Sequence, residues 1–126
     1  MGYVRARATS ESGFSLLELL AVILIIGVLA AIAVPAFIGQ QSKANDASAE
    51  SNARNVVAAV ESCFTDTNRY DKCDSLPELQ ATGSSPSVAL TDPAVKKENA
   101  VSITATASTY SVVGYSVSDN EFVIAR

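Results

Sequence analysis

The most constraining feature of this sequence is a run of twenty residues, 19–38, without a charged or strongly polar side chain. As an α-helix, such a run is about 30 Å long, which matches the hydrocarbon core of a bilayer. A helix that is apolar on every face must be buried all round, either in lipid or among other helices. The rest of the 126-residue chain has the length and polarity of one small soluble domain.

The composition argues against several classes of function. The chain has no histidine, so it lacks the commonest general base and the commonest metal ligand. Its formal net charge is −4, and its largest basic cluster is the pair Lys96 and Lys97, unlike a nucleic-acid-binding surface. The sequence contains no nucleophile motif and no phosphate-binding loop. We therefore expect no catalytic residue, metal site, cofactor or bound nucleic acid.

Three interpretations of the apolar run are open. Arg5 and Arg7 precede it, and a positive flank stays cytoplasmic, so the following domain should face outward. The run could be a plain membrane anchor, or a secretory signal peptide cut after the small residues 31–33. It could also follow a leader that ends at Gly13, in which case the apolar helix stays in the mature protein.

Glu18 favours the third interpretation. A carboxylate in an apolar span costs about 2.5–3.5 kcal/mol on insertion scales, and neither an anchor nor a signal peptide uses one. A signal peptide cut would also leave Pro35 just past the cleavage point. Cleavage after Gly13 creates an α-amino group on Phe14, with a pKa of roughly 8, that is mostly charged at neutral pH. This amine lies four residues from Glu18, on the same face of a helix. The two groups could pair within one chain, or between chains that are staggered along an axis.

Residues 13–20, Gly-Phe-Ser-Leu-Leu-Glu-Leu-Leu, resemble the class III signal of type IV pilins and pseudopilins. The run 21–35, including its proline, is similar to the family's N-terminal helix, and the resemblance covers about residues 11–41. It implies that a prepilin peptidase cuts between Gly13 and Phe14 and that Phe14 becomes an N-methylated N-terminus. Glu18, the fifth mature residue, would then set the register of assembly.

The resemblance also implies how the protein is used. The subunit would be held in the inner membrane by a single span and then polymerised into an extracellular helical filament of identical copies. An assembly ATPase and a membrane platform protein would be its partners. The helix break expected at Gly27 and Pro35 corresponds to a region that unwinds in assembled relatives.

The whole pattern predicts an α+β fold of the type IV pilin kind. Residues 1–13 are expected to be a cleaved leader, residues 14–38 an apolar transmembrane and filament-core helix, and residues 39–126 an amphipathic helix half with a head domain. The head should pack this helix on a small antiparallel sheet of three or four strands. Apolar residues recur at helical spacing in the amphipathic half: Ala53, Val56, Val57, Val60 and Phe64.

Three further segments look like strands. The alternating residues 101–108, the β-rich run 110–117 and residues 121–125 fit this pattern, with a tight turn at 118–120. Residues 74–99 contain three prolines and a glycine, and we expect a surface connection with one helical turn near Leu76 to Leu79.

Cys63 and Cys73 are expected to form a disulfide, because an exported domain is oxidised. Closing this loop would stabilise the fold by up to ~3 kcal/mol. Three aspartates lie in or beside the loop, but their spacing does not fit an EF-hand, and we expect a solvated acidic segment. The bond lies just after the helix, whereas many pilins have one near the C-terminus.

Two other functions stay open. The N-terminal residues do not separate a pilin from a pseudopilin of a type II secretion or DNA-uptake system, which would form a short fibre. A membrane-tethered ligand-binding module belongs to a different class, and the head shows no aromatic patch that would name its ligand.

Overall fold

The computed structural model describes residues 13–126, which form an α+β fold. Its helices are the long α1 (Leu16–Thr67), a 3-10 helix (Tyr70–Lys72) and the short α2 (Leu76–Ala81). Its strands are β1 (Leu90–Thr91), β2 (Val101–Ala105), β3 (Tyr110–Tyr115) and β4 (Glu121–Ala125). The predicted combination of a long helix with a small sheet is confirmed, and α2 lies where a helical turn was expected.

The sheet is mixed, which corrects the prediction of an antiparallel sheet. The strand order is β1-β2-β3-β4, and the β2–β3 and β3–β4 pairs are antiparallel as expected. The additional strand β1 pairs with β2 in parallel, with Leu90 beside Val101. It is two residues long and lies inside the proline-rich connection, so it is too short to produce an alternating sequence pattern.

The second half of α1 forms the core together with the sheet. The apolar stripe predicted for this half is confirmed, since Ala53, Val56 and Val60 are fully buried. Val57 and Phe64 are partly buried against the same cluster, which also contains Val101 and Val112 of the sheet. Helical spacing in α1 and alternation in the strands therefore place both apolar faces in one core.

Contacts group residues Ile38–Arg126 into one compact unit. This unit contains the core, the four strands of the sheet and the disulfide. Apart from Gly13, the predicted leader, including Arg5 and Arg7, lies outside the described residues.

The helix is continuous through Gly27 and Pro35, so the single chain does not contain the expected break. A proline removes one backbone N–H donor, and a glycine weakens a helix without ending it. The remaining hydrogen bonds on both sides are sufficient for helical geometry to persist. Unwinding of this segment on assembly stays a prediction.

A close contact between α1 and β3 depends on Gly114. A Cβ atom at this position would lie 2.5 Å from the carbonyl oxygen of Ala49 and 3.1 Å from the Cβ of Ala53. Both neighbours belong to a buried turn of α1 and cannot move aside as a flexible side chain would. Glycine therefore sets the distance at which the helix lies on the sheet.

Replacing Gly114 with alanine should destabilise the head by about 1–3 kcal/mol, because the new methyl group forces helix and sheet apart. Urea unfolding of the full-length protein in detergent, followed by near-ultraviolet circular dichroism, measures this loss. Gly39→Ala is the matched control, since a Cβ there has no heavy atom within 4 Å among the described residues. Equal unfolding midpoints for the two variants would contradict the close contact.

Candidate processing and assembly segment

The segment that precedes α1 is open to approach from outside. Gly13 and Phe14 lie just before the helix, and both are exposed. The Phe14 side chain is 83% accessible, and no described heavy atom lies within 4 Å of a Cβ built on Gly13. The Gly13–Phe14 peptide bond is therefore uncovered by the described part of the chain.

Ser15 starts α1 as its N-cap. Its Oγ accepts a hydrogen bond from the Leu17 N–H at 3.3 Å, and its carbonyl oxygen accepts from Glu18 and Leu19, each at 3.1 Å. These contacts satisfy helix-terminal N–H groups that would otherwise lack partners. Sequence analysis missed this role, although a serine three residues before a glutamate is the signal of a capping box.

Glu18 is exposed in the first turn of α1. A carboxylate at this end interacts favourably with the positive end of the helix dipole. Glu18 forms no salt bridge or side-chain hydrogen bond with any residue in 13–126. In the uncut chain the Phe14 nitrogen is a neutral amide, so the charged partner expected for Glu18 arises only on cleavage. The structure thus brings Gly13, Phe14 and Glu18 into one short segment.

The first half of α1 is uncovered on every face. This helix is the one in the described residues that is long and apolar enough to cross a membrane, with a mean hydropathy of 2.9 over its most apolar window. None of that window is buried within the chain. Large apolar side chains exposed to between 49% and 83% occur in this half of α1 and just before it: Phe14, Leu16, Leu17, Leu19, Leu20, Val22, Ile23, Leu24, Ile25, Ile26, Val28, Leu29, Ile32, Val34, Phe37 and Ile38.

Residues 9–34 match the family described as the prokaryotic N-terminal methylation motif. The type IV major pilin protein PilA of Myxococcus xanthus is 43% identical over 58 residues, which is 46% of this chain and 26% of that protein. Through this segment, the chain is similar to type IV pilins and to type II secretion system core proteins G.

Two further relatives are named as components of a pilus and of a secretion system. The type IV narrow pilus major component PilA5 of Thermus thermophilus is 38% identical over 76 residues, 58% of this chain and 66% of that protein. The type II secretion system core protein G of Klebsiella michiganensis is 35% identical over 82 residues, 65% of this chain and 56% of that protein. This chain therefore covers less than two thirds of each of these relatives. No solved structure matches it.

Two carboxylates of α1 accept hydrogen bonds that hold the helix to the rest of the head. Asp46 accepts hydrogen bonds from Ser116 Oγ at 2.7 Å, Ser118 Oγ at 2.9 Å and Asn120 Nδ2 at 2.9 Å. These bonds lower the pKa of Asp46, with Ser116 contributing most. They join α1 to the segment between β3 and β4. The sequence marked this segment as a turn but did not reveal its partner.

Glu61 is the second carboxylate. It accepts hydrogen bonds from the Tyr110 hydroxyl at 2.9 Å, the Tyr70 hydroxyl at 3.2 Å and Arg126 Nη1 at 3.1 Å. Partial burial raises the pKa of Glu61, but the bonds from Tyr110, Arg126 and Tyr70 outweigh burial and bring the pKa below its ordinary value. Burial, followed by the bond to Glu61, raises the pKa of Tyr110 to about 12. The hydrogen bonds to Glu61 join α1 to the 3-10 helix and to β3.

Cys63 and Cys73 form a disulfide in the structure, with their Cα atoms 6.0 Å apart, and both residues are fully buried. The bond fixes the end of α1 to the segment that follows the 3-10 helix. Among the described residues there is no group of three His, Cys, Asp or Glu side chains that could hold a metal ion. Asp71 of the cysteine loop instead pairs with Arg69.

Four small residues of α1 differ in their burial. Ala44, Ala47 and Ser48 are exposed, whereas Ala49 is 1% exposed. It lies beneath Gly114 in the core of the head. The sequence does not distinguish Ala49 from its neighbours, because the burial of Ala49 depends on Gly114, which lies 65 positions further along the chain.

Acid should weaken the head partly through Glu61. A carboxyl group with a pKa lower in the folded state than in the unfolded state stabilises the fold above its unfolded-state pKa of about 4.3. This contribution is lost as the pH falls through the folded-state pKa. Glu61→Gln should therefore lower the urea midpoint at pH 7, and the difference from the unmodified protein should shrink below about pH 4.

Urea titrations between pH 7 and pH 3 measure this difference. Glu50→Gln serves as the control, because Glu50 pairs with Arg54 one turn along the helix surface, and such exposed pairs contribute little to stability. A Glu61→Gln effect of the same size at every pH would show that the charge of Glu61 does not stabilise the head.

Proposed function

We propose that the protein is the precursor of a type IV pilin, the structural subunit of an extracellular helical filament. The observation that carries this proposal is the uncovered apolar half of α1, directly preceded by an accessible Gly13–Phe14 bond. A soluble monomer would leave this surface in water. The match of residues 9–34 to the methylation motif supports a mature protein that keeps the helix.

Hydrophobic burial is large enough to drive both membrane insertion and assembly. Burying a large apolar side chain contributes about 1.5–3 kcal/mol, and sixteen such side chains are exposed between Phe14 and Ile38. Burial of even half of them contributes on the order of 10 kcal/mol. This exceeds the roughly 3 kcal/mol needed to place Glu18 in an apolar environment. The helix is therefore stable in lipid before assembly, and among copies of itself in the filament.

Identical helices that pack side by side with a constant rise and rotation make a heterologous contact. Such a contact does not close on itself and produces an open helical filament. The Glu18 carboxylate pairs with the N-methylated amine of Phe14 in an adjacent subunit. Misaligned packing would leave both charges buried without a partner, so this pair sets the register. Local unwinding between Gly27 and Pro35 adapts the helix to the filament.

In this proposal the subunit has a single span in the inner membrane before assembly. A prepilin peptidase removes residues 1–13, and an assembly ATPase with a platform protein transfers subunits from the membrane to the growing filament. The head has no catalytic role and forms the outer surface of the filament.

A pseudopilin is the second candidate, and one comparison favours it. The secretion-system core protein G of K. michiganensis aligns with 65% of this chain, whereas PilA of M. xanthus aligns with 46%. Deletion of the gene separates the two candidates. Loss of long surface filaments supports the pilin, while loss of protein secretion or DNA uptake with surface filaments intact supports the pseudopilin.

Replacing Gly13 with leucine should block removal of the leader, because a side chain at this position fills the space that a peptidase needs to approach the bond. Membrane fractions analysed by gel electrophoresis should then contain uncut precursor in place of the mature protein. Gly39→Leu, a matched change inside α1, should leave processing normal. Normal processing of the Gly13→Leu variant would refute the assignment of the cleavage site.

Replacing Glu18 with alanine should permit insertion and cleavage but impair polymerisation. Removing one member of a buried ion pair costs about 3–5 kcal/mol, so each added subunit would bind roughly 100-fold more weakly or worse. Electron microscopy of sheared surface fractions, alongside immunoblots of the membrane pool, measures both steps. Glu50→Ala should assemble normally. Undiminished filaments with Glu18→Ala would show that the carboxylate has no role in assembly.

A further inference from the structure

The strand β4 forms an edge of the sheet within the described residues. Tyr110 and Arg126 exchange backbone hydrogen bonds of 3.2 and 3.0 Å, and the Ser116 N–H donates to the Asn120 carbonyl at 2.9 Å. Residue pairs in an antiparallel ladder alternate between bonded and non-bonded, so the even-numbered residues of β4 bond to β3. The odd-numbered residues direct their N–H and C=O groups away from the sheet: Glu121, Val123 and Ala125.

This edge lacks the features that usually prevent further pairing. Native edge strands are commonly protected by lysine, proline or a bulge, and the segment Glu121–Ala125 contains none of these. Its one charged residue, Glu121, already pairs with Lys96 of the same chain. Val123, in the middle of the edge, is 61% exposed. The strand is therefore a template for one more strand.

We propose that two copies of the protein pair along β4, antiparallel and edge to edge, about a two-fold axis through Val123. In this register the outward N–H and C=O groups of both copies all find partners. Glu121 lies opposite Ala125 of the second copy, and Phe122 lies opposite Ile124. An aromatic side chain opposite a β-branched one is among the favourable cross-strand pairs.

The alternative antiparallel registers are less favourable. A two-fold axis through Glu121 would place two carboxylates directly opposite each other, which destabilises a strand pair. An axis through Phe122, Ile124 or Ala125 would separate Phe122 from Ile124 and leave at most three of the five residues of β4 overlapping. With the axis through Val123 the two strands overlap over their whole length, and a second copy of this chain is the occupant whose side-chain order complements β4.

This contact differs in kind from the contact that builds a filament. A two-fold contact is isologous and closes after two copies, whereas helical growth needs a heterologous contact. The two-fold axis is perpendicular to the sheet, so the part of α1 that lies on the sheet runs in opposite directions in the two copies. Pairing would therefore join neighbouring filaments side by side. This consequence rests on the proposed filament function, but pairing of the subunits themselves does not.

Site-specific cross-linking of full-length subunits purified in detergent tests the pairing. In the proposed register the two residues at position 123 face each other across the axis at about 5.5 Å. The two residues at position 125 are roughly 13 Å apart along the strands. With a mild oxidant, Val123→Cys should give disulfide-linked dimers roughly tenfold faster than Ala125→Cys, because only the first pair is within disulfide distance.

Mixed samples provide the second measurement. Glu121→Cys and Ala125→Cys chains should cross-link to each other, because these positions are opposite in the two copies. Adding Val123→Pro to both chains should abolish this product, since proline removes an outward N–H and leaves the ladder to β3 intact. Val123→Lys should reduce it as well, by placing like charges on the axis.

Equal dimer yields from the cysteines at positions 123 and 125 would overturn the proposal, because contact through the apolar helices alone gives no preference between them. A mixed product that persists with both Val123→Pro and Val123→Lys would overturn it too. Neither result depends on filament formation, so failure of this inference is distinct from failure of the proposed function.

Discussion

The apolar first half of α1 has no partner within the described chain. This exposed surface limits the environments in which the protein is stable. Its large side chains are exposed on every face of the helix, and burying them contributes more free energy than any polar contact in the head. A surface of this kind is stable in a bilayer or inside a bundle of identical helices. The same physical property therefore underlies both the proposed membrane-held precursor and the proposed assembled subunit.

The second half of α1 connects this helix to the head through different interactions. Ala53 and Val56 fill the core, Gly114 sets the distance between helix and sheet, and Asp46 and Glu61 each accept several hydrogen bonds from the sheet side. The disulfide closes the end of the helix onto the segment that follows it. These contacts span the length of the helix in the head, so the head and its part of α1 act as one body.

Much of this architecture could be predicted because its signals are local. The apolar run, the helical stripe after Ala53 and the alternation from Val101 onward each follow from periodicity along a short segment. Gly13, Phe14 and Glu18 of the candidate processing and assembly segment likewise lie close together in the sequence. These patterns depend on the geometry of a single element, and the structure has the predicted element types in these places.

The remaining features depend on residues that are distant in the chain. β1 is too short to show a pattern, and its parallel pairing needs the neighbouring strand to exist first. The partners of Asp46 and Glu61, and the burial of Ala49 beneath Gly114, arise only when the sheet lies on the helix. Continuity of the helix through Pro35 could not be foreseen either, because a proline can kink a helix or be absorbed by it.

The most direct test of a retained apolar helix is the intact mass and N-terminal residue of the protein recovered from cells. We expect a chain that begins at Phe14, carries one methyl group on its α-amine and retains both cysteines in a disulfide. A mature chain that begins at Val34 would show that the helix is discarded as a signal peptide, and one that still begins at Met1 would show a permanent anchor. Either result would contradict assembly through this helix.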